Sequence, residues 1–204
     1  GDKGRSAEPD MKALPTYPML DIIVTQQRYP CMRRCSFMEG RDMGNSRGNV
    51  ICFHNNNEEN GYLSNWYPST FTLDGVTFSS MEQYMMYRKA LSFGDDKIAA
   101  QILATDSAAE IKALGRLVSG YDESLWNGIR QIVVYEGLFA KFTQNPDLRE
   151  RLKDTGNAFL AECAVNDRIW GIGLSMRDPS RLDRAKWQGQ NLLGYALMMV
   201  REKL

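Results

Sequence analysis

The chain has 204 residues, with 25 lysines and arginines balanced by 25 aspartates and glutamates, and a single histidine. Zero formal charge excludes an extended electrostatic grip on nucleic acid, although a local basic groove stays open. His54 alone cannot build a Ser-His-Asp triad, a Cys-His dyad or a multi-histidine metal site, so chemistry at neutral pH must lean on carboxyls and amines.

This length predicts one domain with a tail. No apolar run reaches the length of a membrane span, and the first residues lack the charged-then-apolar layout of a secretory signal. Four cysteines without a dense framework point to a reducing compartment, cytoplasmic or, in a eukaryotic cell, nuclear.

Residues 1–48 read as a flexible N-terminal extension: polar at its start, linker-like from Arg41 to Gly48, with Leu20 to Val24 its one strand-like run. The ordered domain, residues 49–204, opens with an apolar strand at Val50 to Phe53. Phe71 to Phe78 reads as a hairpin turning at Asp74-Gly75. Helices are predicted over Ser80 to Ser92, Asp96 to Ala104, Ser107 to Leu114 and Glu123 to Thr143, and Pro146 opens a further short one. Ala158 to Ala164 is ambiguous between strand and helix, and its run into Asp167 favours strand. A polar loop spans Arg177 to Lys186. Gln190 to Lys203 closes the chain as a helix, with Leu192, Leu193, Ala196, Leu197 and Val200 on one stripe. The fold class is α+β: a single, mostly helical domain with a few short strands.

The helix from Ser80 carries the most chemistry. Glu82 and Lys89 stand seven residues apart, about two turns and about 10 Å along the axis, on one face. Glu82 also has a structural reading, because Ser79 three residues earlier matches a capping box. Lys89 taken alone reads as a solvated helix residue. Trp66, Trp126 and Trp170 fit a core as readily as a stacking platform. The segment Asp167-Arg168-Ile169-Trp170-Gly171-Ile172-Gly173 suits a loop whose backbone approaches a ligand, or an ordinary strand-end turn. Cys31, Cys35, Cys52 and His54 fit no usual zinc spacing, so no metal is expected. Met81, Met85 and Met86 read as packing.

Taken in order, Gly61-Tyr62-Leu63-Ser64-Asn65-Trp66, Ser79 to Lys89, Leu114-Gly115-Arg116, Trp126, Ala140 to Pro146, Asp167 to Gly173 and Asn191 to Arg201 resemble the YbiA-like, or NADAR (NAD- and ADP-ribose-associated), family. The resemblance covers nearly all of residues 50–204 and implies the YbiA-like fold. It also implies N-glycosidase chemistry, on ADP-ribosylated guanine in nucleic acid or on riboflavin-pathway intermediates. A catalytically idle ADP-ribose-binding module is the reading from another class. By that resemblance Glu82, Lys89, Asp167 and Trp126 are the catalytic positions. Asn65, Trp66, Tyr84, Arg116, Trp170, Gly171, Gly173 and Asn191 are the substrate-binding ones. No cofactor is implied, the expected partner is the ADP-ribose moiety with nucleic acid touched only locally, and a monomer is expected. The loop from Ser175 to Gln190 is longer than in compact bacterial members, long enough to rim or cover the pocket.

Overall fold

The structure, a computed structural model, describes residues 49–204. The strand expected at Leu20 to Val24 and the cysteines Cys31 and Cys35 lie outside the described residues. Among those described, four short strands and six α-helices follow one another as β1 (Val50–Phe53), β2 (Phe71–Leu73), β3 (Val76–Phe78), α1 (Met81–Ser92), α2 (Asp96–Leu103), α3 (Ala108–Arg116), α4 (Glu123–Gln144), α5 (Pro146–Asp154), β4 (Phe159–Glu162) and α6 (Leu192–Arg201). The architecture is α+β.

β2 and β3 form the antiparallel hairpin, with Leu73 opposite Val76. Asp74 and Gly75 both take positive φ, 52° and 79°, the geometry a two-residue turn demands. The ambiguous segment is indeed a strand. β4 pairs in parallel with the distant β1, in a register that sets Phe53 beside Glu162.

α1 is the hub, packing on α2, α3 and α4. One of its faces turns Tyr84 and Tyr87 onto the hairpin. The Tyr84 ring meets Phe78 at 5.1 Å and Phe71 at 5.9 Å, both edge-on, and Tyr87 meets Phe78 at 5.4 Å. Edge-on aromatic pairs add about 0.5–1.5 kcal/mol each beyond the area they bury. The close crossing of α4 over this cluster requires Gly137, where any Cβ would collide with Tyr84 and Met81.

α6 begins two residues later than the apolar stripe predicts. Asn191, just before it, adopts a left-handed conformation (φ 53°) that ends the preceding loop. The polar loop from Arg177 to Lys186 winds into two short 3₁₀ turns, Pro179–Leu182 and Arg184–Lys186, capped by the side chains of Asp178 and Asp183. Trp187 anchors its end, donating from Nε1 to the Arg181 carbonyl and packing against Cys163, Ile172 and Leu174.

A buried cation fixes the approach to α1. Lys141, on α4 and 0% exposed, donates to the carbonyls of Tyr62 (2.7 Å) and Ser64 (3.4 Å) in the turn that leads into Asn65 and Trp66. Complete burial drops its pKa from 10.5 to about 7. A lysine whose folded pKa lies below its unfolded one binds more protons when unfolded, so stability rises as pH climbs from about 7 toward 10.5 and is flat below. Urea titrations should show this rise in the native sequence and not in Lys141→Met, so native stability gains on the variant as pH climbs from about 7. Parallel pH dependences would show that Lys141 is not desolvated.

Candidate active site

The cap of α1 decides what Glu82 is free to do. The N-cap is Ser80, one residue after the serine that spacing suggests, and its Oγ accepts the Gln83 backbone N–H at 3.2 Å. Gln83 completes the box: its Oε1 accepts the Ser79 N–H at 2.8 Å, and its Nε2 donates to the carbonyls of Ile102 (3.2 Å) in the last turn of α2 and Thr105 (2.9 Å) just after it. The Glu82 backbone N–H goes to the Asn65 carbonyl at 2.9 Å. The first turn is thus satisfied without the Glu82 carboxylate, and the capping-box reading of that residue is corrected to Gln83.

Glu82 is only 3% exposed and faces a cavity of about 190 Å³. α1 contributes Glu82, Met85, Met86 and Lys89 at helical spacing, and α3 contributes Lys112, Gly115 and Arg116 from the facing side. Asn65 and Trp66 enter from the turn before the hairpin, and Glu162, Asp167 and Trp170 from β4 and the loop after it.

The walls are carboxylic at depth and cationic at the rim. Burial raises Glu82 to about 7; Asp167 pushes the same way, while Lys112, a hydrogen bond from Trp66 and Arg116 pull against it. Glu162 rises to about 8 through burial, reinforced by Asp167 and Glu82 and opposed by Lys112. None of these carboxyls forms an ion pair among the described residues. Desolvation, not pairing, tunes them.

Lys89 is held by geometry rather than by a counter-ion. Its Nζ donates to the Gly115 carbonyl at 2.7 Å and lies 4.3 Å from the centre of the Tyr121 ring. Desolvation lowers its pKa. Asp167 Oδ1 accepts from the backbone N–H of Ile169 (3.0 Å) and Trp170 (2.9 Å), which fixes the loop carrying Trp170. Two polar atoms in the walls, Asn65 Oδ1 and Glu162 Oε2, are buried with no hydrogen-bond partner.

Of the residues singled out by sequence, Glu82, Lys89, Asp167, Asn65, Trp66, Arg116 and Trp170 therefore share one cavity. The rest stand elsewhere. Trp126, 6% exposed in the first turn of α4, is not in the cavity wall, and Tyr84 belongs to the aromatic cluster. Gly171 and Asn191 lie behind the wall. A Cβ on Gly171 would strike the Glu162 and Asp167 carbonyls, and Asn191 accepts from the Glu162 N–H at 3.1 Å and donates to the Leu160 carbonyl at 2.8 Å. Gly173, at φ 72°, packs on Gln188. No residue from Ser175 to Gln190 lines the cavity, so that loop buttresses the site from behind, where the Gln188 N–H bonds the Ile172 carbonyl at 2.8 Å. Sequence reasoning missed Glu162, Lys112 and the two methionines. The only signal for Glu162 was a carboxylate interrupting an apolar strand.

With this geometry in place, the family model described as the NADAR domain matches residues 52–204. The chain belongs to the NADAR family. An N-glycosidase of Acanthamoeba polyphaga mimivirus is 40% identical over 161 residues, which cover 75% of this chain and 95% of the viral protein. The N-glycosidase YbiA of Escherichia coli is 31% identical over 155 residues, 76% of this chain and 88% of that protein. The NMR structure of E. coli YbiA superposes with a TM-score of 0.64 at 30% identity, covering 77% of this chain and 85% of that one. A riboflavin biosynthesis protein of Vibrio vulnificus is 32% identical over 154 residues, 76% of this chain and only 38% of that longer protein. The names of the mimiviral and E. coli relatives support a glycosidase enzyme, and this NADAR chain shares the α+β fold of YbiA.

Two neighbouring substitutions separate site from scaffold. Glu82 has its folded pKa raised from 4.5 to about 7, so the native protein loses stability as pH rises through that window. Glu82→Gln should match it at pH 4.5 and exceed it by about 1–3 kcal/mol at pH 8. Gln83→Ala should be destabilised by about 2–3 kcal/mol at either pH, since it orphans the Ser79 N–H and two buried carbonyls. Equal losses from both substitutions in urea would return Glu82 to a capping role.

Proposed function

We propose that the protein hydrolyses the bond between ribose C1 of ADP-ribose and the exocyclic amine of guanine in nucleic acid, releasing ADP-ribose. The observation that carries this reading is one cavity joining a desolvated amine without a carboxylate partner, Lys89, to a buried carboxyl, Glu82, tuned to neutral pH. Carboxyls and amines so placed suit acid–base and imine chemistry at a sugar carbon.

The reaction is written through a Schiff base. The glycosidic nitrogen expels the ring oxygen, which takes a proton from the Glu82 carboxyl, and leaves an imine at C1. The neutral Lys89 amine adds to C1 and passes its extra proton to the Glu82 carboxylate. The C1–N bond to guanine then breaks as the departing nitrogen gains a proton, and Lys89 is left joined to C1 as an iminium. Water adds to that carbon, the carbinolamine collapses, and the sugar recloses. One water is consumed and Lys89 is regenerated. A carboxyl with a pKa near 7 populates both forms that Glu82 needs.

The rim supports the rest. Lys112 and Arg116 offer cations on one face of α3 for phosphates, and Trp66, 38% exposed with Lys112 Nζ 5.5 Å from its ring, suits stacking on a base, as does Trp170. Asn65 Oδ1 awaits a donor such as a ribose hydroxyl. Contact with the polynucleotide is local, in keeping with zero net charge, and the proposed active form is a monomer. A second reading is favoured by the riboflavin biosynthesis protein among the relatives: a small-molecule N-glycosidase acting on ribosylamine intermediates.

Mass spectrometry of an ADP-ribosylated guanine oligonucleotide tests the substrate, with release of ADP-ribose expected and an unchanged oligonucleotide refuting it. Glu82→Gln and Lys89→Ala should each slow release by about 100-fold or more. Borohydride added during turnover should reduce the iminium and leave a mass adduct on Lys89; its absence discards the covalent route. Calorimetry with ADP-ribose separates the two substrate classes, because a ribosylamine enzyme gains no affinity from the ADP moiety.

A further inference from the structure

The C–N bond cannot break without a proton for its nitrogen, because a substituted aromatic amine leaves poorly as an anion. In the sequence above Glu82 is occupied twice, first giving a proton to the ring oxygen and then taking one from Lys89. A second donor in the same cavity spares it a third transfer.

The cavity contains one. Glu162, the last residue of β4, lines the same wall as Glu82 and Lys89, and its Oε2 is buried without a hydrogen-bond partner. Its backbone is clamped on both sides. Asn191 Oδ1 accepts the Glu162 N–H at 3.1 Å, and the Glu162 carbonyl accepts from Ile172 (2.8 Å) and Ala164 (3.1 Å). Asn191 itself is held in the left-handed conformation at the start of α6. A carboxyl on a backbone fixed this firmly, with an unpartnered oxygen in the cavity wall, is poised toward something that is not part of the protein. A structural glutamate would have found an arginine or a backbone N–H.

We propose that Glu162 is the general acid of the reaction, its carboxyl proton passing to the departing exocyclic nitrogen as the C1–N bond breaks. The resulting carboxylate takes a proton from the water that adds to the Lys89 iminium, which restores the acid. The groups facing Glu162 set this poise: Glu82 from α1 and Asp167 from the following loop disfavour a second negative charge, while Lys112 from α3 moderates them. Burial leaves the carboxyl protonated at neutral pH, with its pKa near 8 against about 7 for Glu82. Carboxyls separated in this way divide into a donor that keeps its proton and a partner that exchanges one.

The inference rests on the proposed hydrolysis of ADP-ribosylated guanine, and its test keeps the two apart. Two substrates are compared: the ADP-ribosylated guanine oligonucleotide, whose nitrogen opens the ring and needs a proton to leave, and ADP-ribose carrying p-nitrophenol at C1, from which the Lys89 amine displaces p-nitrophenolate directly, with no ring opening and no proton to the leaving group. Glu162→Gln should lose about 100-fold or more on the first and under about 10-fold on the second. The alkaline fall of kcat/KM should become shallower in this variant, because Glu82 alone then sets it. Infrared difference spectra should show protonated-carboxyl absorption at neutral pH that is reduced in Glu162→Gln, the remainder being the share that Glu82→Gln removes. Equal losses on both substrates, unchanged rates, or protonated-carboxyl absorption undiminished in Glu162→Gln would overturn the assignment while leaving the parent activity intact. A wild-type protein inert on both substrates would instead remove the parent reading, and Glu162 with it.

Discussion

The site depends on one side chain that takes no part in it. Gln83 gathers the Ser79 N–H at the entry to α1 and two carbonyls at the end of α2, those of Ile102 and Thr105, with a single amide. An amide can do this because it presents acceptor and donor together, which a carboxylate cannot. Were a glutamate at this position the cap, its charge would be spent on backbone N–H groups and its pKa would fall. With Gln83 in that role, the neighbouring Glu82 satisfies no backbone group and turns into the cavity. Its backbone N–H meanwhile ties α1 to Asn65, so cap and wall form together.

That arrangement explains why the carboxyls are raised in pKa without being paired. Lys112 and Arg116 stand on α3, where solvent screens them, and each reaches Glu82 only as a weak opposing influence. A tight ion pair would hold Glu82 ionised well below neutral pH and deny it a proton to give. Distance keeps the cations at the rim, available to anionic parts of a ligand. The scaffold bears the cost: two buried carboxyls near one another disfavour the folded state at high pH, a trade commonly found at functional sites.

Local signals made most of the fold legible. The Asp74-Gly75 turn, proline at the start of α5 and the apolar periodicities of α1 to α4 depend on neighbours in sequence, and each stands within a residue or two of its expected place. The boundaries moved where tertiary contacts intervened. Asn191 ends its loop in a left-handed conformation because its side chain spans the Glu162 N–H and the Leu160 carbonyl, 29 and 31 residues away. The site was legible by motif and illegible by burial. Tyr84 shares a motif with Glu82 and Trp126 is a motif position of its own, yet α1 turns Tyr84 onto its other face and α4 buries Trp126. Glu162 escaped notice for the opposite reason: nothing in its local sequence tells a solvated strand glutamate from one that turns a buried oxygen into the cavity wall.

The two lysines with lowered pKa show what singles out a nucleophile. Lys141 is desolvated more completely than Lys89, so burial alone would mark it as the more reactive amine. It is not a candidate. Its Nζ is committed to the carbonyls of Tyr62 and Ser64, it is fully enclosed, and it is not in the wall of the cavity. Lys89 is half-buried, holds a single carbonyl acceptor, and lines the cavity beside Glu82. Reactivity at C1 needs a neutral amine with a path to carbon, and only the second lysine combines lowered basicity with access. The same criterion separates Glu162 from a carboxylate that merely stabilises: an unpartnered oxygen counts when it opens onto the space where the bond breaks.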